Sequence, residues 1–312
     1  MKTISVMIPC YNEIDNVKPM AAAVIREFAD NLPQYDYELL FIDNSSTDGT
    51  RAALEELCAE NKKIKAIFNV TNFGQFNSPF HGMCQTTGDC TICLCCDFQD
   101  PVEMIPALVR EWENGHRIVS CVKRSSQESK FVYFLRTVYY KAIKTMSDVM
   151  FIEHFTGFGL YDKTFIALLR QLDDPIPFVR GIVGEYGAGF NMKTIEYEQQ
   201  SRRAGKTKNN FYSLYDAAML SFTSYTKIGL RLATFLSFFI GLASMLAALF
   251  FLIQKLRNWG SYQAGFAPFA VGMFMLSAVQ LFFIGFIGEY VLSINKRIIH
   301  RPLVVEEKRI NF

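Results

Sequence analysis

Asp97, Gln99 and Asp100 are the residues of this sequence best placed to do chemistry. They lie in the stretch Leu94-Cys95-Cys96-Asp97-Phe98-Gln99-Asp100-Pro101-Val102-Glu103. The apolar run at 90–96 reads as a buried strand. Pro101 suits a first helical turn, where its missing N–H would be unpaired anyway. The polar residues therefore fall on a loop at the carboxyl end of a strand, the edge at which open α/β sheets bind ligands. A carboxylate and an amide carbonyl two residues apart can face one hard cation together. Such oxygens suit Mg²⁺ or Mn²⁺, whose remaining ligands are waters and substrate phosphates. An ordinary polar loop has the same composition, so this stretch does not decide the matter alone.

The elements that must position these residues follow from the pattern on either side. Residues 4–8 form a short apolar strand, and Pro9-Cys10-Tyr11-Asn12-Glu13 a turn, with Asn12 able to cap a helix over 13–30. A second strand at 38–42 ends in the turn cluster Asp43-Asn44-Ser45-Ser46-Thr47-Asp48-Gly49-Thr50. A helix at 51–60, a strand at 64–68 and a loop-helix beginning Asn72-Phe73-Gly74-Gln75 follow. After the opening stretch come a helix over 102–114 and a strand over 117–122. Strands alternating with helices predict an α/β fold with a mostly parallel sheet. Asp43 and Asp97 both close strands, so one site assembled from two loops is expected. Residues 131–146, which include Arg136, read as helical. Thr156-Gly157-Phe158-Gly159 lacks the lysine and spacing of a phosphate loop and reads as a tight turn into a helix after Asp162. Arg202-Arg203-Ala204-Gly205-Lys206-Thr207-Lys208 is a basic loop.

The 312 residues carry a net charge of only +2 and no basic stripe interleaved with aromatics, which argues against nucleic acid as a partner. Five of the eight cysteines crowd between Cys84 and Cys96. Neighbours on one strand point to opposite faces, so a disulfide framework is not expected. The spacing matches no common zinc finger. Small buried thiols in a reducing compartment are the better account. The N-terminus has no signal-peptide pattern.

The character of the chain changes after residue 210. Residues 211–231 mix aromatic and polar positions as an interfacial helix would. Residues 232–253 and 266–287 hold no charged residue, and each is long enough to cross a bilayer. Trp259 and Tyr262, between them, favour the membrane interface. Lys227 and Arg231 precede the first run, and Lys296, Arg297, Arg301, Lys308 and Arg309 follow the second. Only Lys255 and Arg257 lie between. That bias predicts an integral membrane protein with a two-helix transmembrane hairpin over 232–294, in a bacterial inner membrane. The domain over 1–210 and the tail over 295–312 would both be cytoplasmic.

Taken in order, these pieces resemble family 2 glycosyltransferases that charge polyprenyl phosphate, the dolichol-phosphate mannose synthase and bactoprenol glucosyltransferase group. The resemblance is carried by Ile8 through Glu13, Asp43 through Thr50, Asn72-Phe73-Gly74-Gln75, Asp97 through Pro101, Arg202 through Lys208, Gly288-Glu289-Tyr290 and Arg301-Pro302. It implies a GT-A fold, a nucleotide-diphosphate sugar donor (a UDP-sugar in preference to a GDP-sugar), a polyprenyl phosphate acceptor and a divalent metal. A homo-oligomer is left open. Residue by residue, it implies that Pro9, Tyr11, Glu13 and Asp43 hold the nucleoside. Asp97, which also serves the donor, and Gln99 would hold Mg²⁺ or Mn²⁺. Arg124, Arg136 and Arg202 would meet phosphates of donor or acceptor, with Lys208 near them. Asp97, Arg136 and Arg202 carry the catalytic expectation. The sequence departs from the family pattern twice: Cys95 stands where the first aspartate of Asp-x-Asp is usual, and Asn44 where a second aspartate is frequent.

The implied reaction is inverting transfer of the sugar to the lipid phosphate. A phosphate monoester is already largely ionised at neutral pH, since its second pKa lies near 6, so no strong general base is required. Of the histidines only His154 lies near a suspected site segment, and it reads as structural. Two other classes remain. A processive polysaccharide synthase is suggested by Gln199-Gln200-Ser201-Arg202, but Arg203 stands in place of that group's tryptophan. A non-catalytic membrane protein that binds nucleotide sugar is suggested by Cys95 and Asn44.

Overall fold

The computed structural model describes residues 1–125, 152–172, 174, 177–204, 266–298 and 302–312, with isolated positions between 219 and 257. The chain divides into two compact units. The first comprises Met1–Lys144, Val149–Phe211 and Ile299–Phe312; the second comprises Thr145–Asp148 and Tyr212–Ile298.

The first unit is built on one eight-stranded sheet. In chain order its described elements are β1 (Thr3–Cys10), α1 (Ile14–Asn31), β2 (Asp36–Asp43), α2 (Thr50–Glu60), β3 (Ile64–Asn69), α3 (Gly74–Gln85) and β4 (Cys90–Cys93). A 3₁₀ turn at Val102–Met104 leads into α4 (Ile105–Glu113), followed by β5 (Ile118–Ser125), β6 (Phe155–Asp162), α5 (Lys163–Gln171), α6 (Val179–Tyr186) and β7 (Met192–Glu198). The described part of the second unit contributes α7 (Phe266–Ile298), and the chain then supplies β8 (Glu306–Ile310) to the first unit. The strand order is β7-β5-β6-β4-β1-β2-β3-β8. Pairing is parallel at β4-β1-β2-β3 and at β5-β7, and antiparallel at β4-β6, β5-β6 and β3-β8. The sheet is thus mostly parallel, as expected.

Its central strands are apolar on both faces because helices cover both. On one face Ile4, Val6, Ile8, Leu39 and Phe41 pack with Val17, Met20, Leu54 and Leu108. On the other, Met7, Leu40, Ile42 and Ile67 pack with Phe80, Met83, Phe165 and Ile182. Burying each such side chain contributes about 1.5–3 kcal/mol, which fixes the register and with it the edge where β1 and β2 end level and β4 ends three residues short of them.

Three local expectations are corrected. Thr156-Gly157-Phe158-Gly159 is not a turn but part of β6. A Cβ at Gly159 would stand 2.3 Å from the carbonyl oxygen of Val119, so the glycine serves close approach of β5 and β6 rather than chain reversal. Asn12 does not cap α1; Glu13 takes that position without a side-chain cap. Asn12 has φ of 57° and is drawn instead to the neighbouring loop, where its Oδ1 accepts from the Thr47 N–H at 2.7 Å. The strand expected over 90–96 ends at Cys93.

The tail contains an element that the sequence pattern did not announce. β8 pairs antiparallel with β3, Ala66 opposite Ile310 and Phe68 opposite Lys308. It covers what would otherwise be an open sheet edge. Among the described residues no helix is long and apolar enough to cross a membrane. The expected two-helix transmembrane hairpin is therefore not part of the described structure. The run 232–253 lies largely outside the described residues, and α7 is the described element that overlaps the second run. The helix expected over 131–146 lies outside the described residues.

Candidate functional site

β1 and β4 are adjacent and parallel, so the loops that follow them meet at one edge. Glu13 lies three residues past β1 and Asp97 four past β4. The loop at Asp97 is tightly made. Asp97 Oδ1 accepts from the Gln99 N–H at 3.1 Å, and Phe98 between them takes a left-handed φ of 62°. Such a φ is uncommon for a bulky residue, and here the Arg203 guanidinium lies over the Phe98 ring at 5.1 Å. The segment after β7 is laid along this loop. The Gln200 N–H donates to the Gln99 carbonyl at 3.1 Å and the Arg203 N–H to the Asp97 carbonyl at 3.2 Å. Lys123 Nζ on β5 donates to Gln199 Oε1 at 2.8 Å.

That docking delivers Arg202 between the two acids. Its Nη2 pairs with Glu13 Oε1, its Nη1 lies 3.4 Å from Asp97 Oδ2, and its Nε donates to the Ala204 carbonyl at 2.9 Å. The other Glu13 oxygen accepts from Asn16 Nδ2 at 2.6 Å. A guanidinium forked across two carboxylates is a preorganised, largely desolvated charge cluster.

The second loop supplies Asp43, which is fully buried at the end of β2 opposite Cys10 of β1. Both carboxylate oxygens face the Ser46 N–H, at 3.3 and 3.1 Å. Burial raises the Asp43 carboxyl above its ordinary range, and Ser46 and Arg51 draw it partly back. The two loops are stitched together. The Asn12 N–H donates to Ser46 Oγ at 2.8 Å and the Glu13 N–H to Thr50 Oγ1 at 2.9 Å. Pro9, opposite Ile42, and half-buried Tyr11 lie on the strand and turn that carry this edge. The structure brings Arg202, Glu13 and Asp97 together, and the loop that follows Asp43 is hydrogen-bonded to the Asn12-Glu13 turn beside them.

Residues 5–173 match the family description "Glycosyl transferase family 2". The chain belongs to glycosyl transferase family 2. An uncharacterized glycosyltransferase, sll0501, of Synechocystis sp. (strain ATCC 27184 / PCC 6803 / Kazusa) is 30% identical over 96% of this chain and 93% of its own length. A bactoprenol glucosyl transferase of Shigella phage SfX is 29% identical over 98% of this chain and 99% of its own. Among solved structures, mannosyl-3-phosphoglycerate synthase from Rubrobacter xylanophilus has a TM-score of 0.49 at 14% identity, covering 85% of this chain and 78% of that one.

This family 2 chain is therefore a glycosyltransferase with a GT-A α/β fold, and its two departures from the family pattern have structural explanations. Asn44 is a hub. Its Nδ2 donates to Asn72 Oδ1 at 2.8 Å and to the Gly74 carbonyl at 3.3 Å, and its Oδ1 accepts from the Phe73 N–H at 2.9 Å and Asn69 Nδ2 at 3.2 Å. An aspartate could accept here but not donate. Cys95 is exposed, and its thiol lies near enough to the Asp100 carboxyl to help hold that carboxyl's pKa down. Asp100 is itself buried and accepts from Tyr197 Oη at 2.6 Å. Burial raises the Asp100 carboxyl pKa, with the Tyr197 and Cys95 bonds opposing it.

The metal expectation rests on few groups. Among the described residues no three His, Cys, Asp or Glu side chains are grouped so that they could hold a metal ion. Asp97 with Gln99 fits a hard cation that takes most of its ligands from phosphate and water. The Arg202 guanidinium at 3.4 Å shows that Asp97 Oδ2 accommodates positive charge.

Arg124 lies exposed near the end of β5, and among the described residues it is not a partner of Glu13 or Asp97. Arg136 and Lys208 lie outside the described residues. Tyr197, Arg203 and Arg51 were not anticipated, because what marks them is proximity across the fold rather than local spacing.

Proposed function

We propose that this glycosyltransferase transfers a sugar from a nucleotide-diphosphate sugar to polyprenyl phosphate at a membrane surface, with inversion at the anomeric carbon. The observation that carries this reading is the convergence of Arg202 on Glu13 and Asp97 beside the Asp43 loop. That edge offers a buried acceptor for a nucleobase, a carboxylate for a cation and a guanidinium for phosphate oxygens. The similarity to the phage bactoprenol glucosyl transferase extends over nearly the whole of both chains, which supports a lipid phosphate as acceptor.

In this reading Asp43 accepts a hydrogen bond from the nucleobase, while Pro9 and Tyr11 border the nucleoside. Asp97 and Gln99 would hold Mg²⁺ or Mn²⁺, which neutralises negative charge building on the leaving nucleoside diphosphate. Arg202 shares that task through two-pronged contact with phosphate oxygens. Arg124, Arg136 and Lys208 are assigned to phosphates on the same grounds of charge. An oxygen of the acceptor phosphate attacks the anomeric carbon as the bond to the diphosphate oxygen breaks. Because that nucleophile is already ionised, positioning and charge stabilisation suffice.

Membrane attachment is supported by the sequence. Residues 232–253 and 266–287 each hold no charged residue, which favours an apolar surround. Phe269, Met273, Leu276, Leu281, Phe282 and Ile284 on α7 are all exposed. With residues 232–253 as its partner, the run at 266–287 would form the hairpin, with domain and tail on the cytoplasmic side. The test is incubation of membranes containing the chain with labelled UDP- and GDP-sugars and polyprenyl phosphate. A lipid-soluble product, labelled in the sugar and released by mild acid, is expected. Long polymer, or sugar transfer only to water-soluble acceptors, would refute the reading.

A further inference from the structure

The edge that carries Asp43 continues, row by row, into the C-terminal strand. Cys10 stands opposite Asp43, Asp43 opposite Phe68, and Phe68 opposite Lys308. Arg51, in the first turn of α2, crosses this row from above. Its guanidinium lies over the Phe68 ring at 5.2 Å, its Nε is 3.8 Å from Asp43 Oδ2, and its Nη2 donates to Glu307 Oε2 at 2.7 Å. One end of the guanidinium therefore faces a fully buried acid and the other a half-exposed acid contributed from more than 250 residues along the chain.

We propose that Arg51 is a positioning residue of the nucleotide site and that Glu307 of the C-terminal strand sets it. The inference rests on the reading of Asp43 as the nucleobase acceptor. A free arginine side chain has many rotamers, and an exposed ion pair alone adds little stability. The pair with Glu307 matters for direction: with one end held on β8 and the plane held on Phe68, Nε is aimed at Asp43. An ionised, oriented Asp43 is then ready before the nucleotide arrives, which lowers the cost of binding. The C-terminal strand thereby reaches a site that every local motif assigns to the N-terminal half.

The seam between β8 and α2 contains its own control. Lys308 Nζ pairs with Glu55 Oε1 at 3.0 Å, joining the same strand to the same helix at similar exposure but through Glu55 rather than Arg51. The experiment measures binding of uridine diphosphate and guanosine diphosphate, with Mg²⁺ present, to the full chain and to E307Q, R51Q, R51K and K308M. For whichever diphosphate binds, E307Q is expected to weaken affinity about threefold to tenfold and R51Q about tenfold or more, with R51K partly restoring it. K308M should stay within about twofold, and all four should melt within a few degrees of wild type. In turnover the donor KM should rise while kcat holds, since the effect is on binding. Wild-type affinity in both E307Q and R51Q overturns this inference alone, and so does an equal loss in K308M. Failure of the wild-type chain to bind either diphosphate removes the nucleotide reading and this inference with it.

Discussion

Restoring the frequent family aspartate at position 44 should damage this protein rather than improve it. Asn44 is only 7% exposed and makes four hydrogen bonds, two as donor and two as acceptor. Asn44→Asp keeps the bonds from Phe73 N–H and Asn69 Nδ2 but turns an oxygen toward Asn72 Oδ1 and the Gly74 carbonyl. Asn72 Oδ1 retains a bond from the Gly74 N–H at 2.8 Å, so the loss there is partial. The Gly74 carbonyl loses its contact, and two acceptors now face a carboxylate. At about 1 kcal/mol per lost bond plus the cost of a poorly solvated charge, the total is roughly 2–3 kcal/mol at pH 8. The new carboxyl would have its folded-state pKa raised. A raised acid pKa means the folded state holds the proton more tightly, so the deficit is fully present above the folded pKa and shrinks as pH falls toward the unfolded value near 4. In thermal unfolding of the full chain, this should lower Tm by about 5–10 °C at pH 8 and by clearly less at pH 5. A variant that melts with wild type at pH 8, or whose deficit is the same at both pH values, would show that the Asn44 hub does not hold the loop at 72–74.

The catalytic arrangement makes three further demands. Asp97→Asn should abolish metal-dependent transfer without unfolding the chain, whereas Cys95→Ser, which keeps a donor for Asp100, should be mild; titrating transfer with Mg²⁺ and Mn²⁺ for both variants checks this. Arg202→Ala should reduce kcat about a hundredfold or more, equivalent to roughly 2–4 kcal/mol of transition-state stabilisation, and near-wild-type turnover would return Arg202 to a purely structural pairing. Because burial raises the Asp43 carboxyl, donor affinity should fall with decreasing pH at a higher pH than an ordinary carboxylate would give, as protonation removes the acceptor; a binding profile flat down to pH 4 would speak against Asp43 as the nucleobase partner.

Much of this was legible in the sequence because the physics is local. A strand buried on both faces must be apolar, so β1, β2 and β3 declare themselves, and a carboxylate just beyond such a run must lie at the sheet edge. Asp43 and Asp97 were found in that way. β6 was hidden because Gly157 and Gly159 look like chain reversal, whereas Gly159 is demanded by the Val119 carbonyl of a neighbouring strand. β8 was hidden because Glu306-Glu307-Lys308-Arg309 has no apolar face; a charged edge strand has no such need. The Arg202 fork joins residues 189 positions apart from Glu13, and the Arg51 bridge spans 256; neither distance leaves a periodicity to read.

The return of the chain to its own sheet carries a topological rule. The first unit is interrupted after Phe211 and resumes at Ile299, and β8 is hydrogen-bonded to β3. The residues between are thus an insertion whose two ends are tied to one folded body. On the membrane-bound reading proposed above, both ends of that insertion would face one side of the lipid layer, so its complete crossings would be even in number. Counting charged residues around apolar runs assigns a side to each end separately; on the proposed reading, the pairing of one short strand, β8, with β3 would tie the two assignments together.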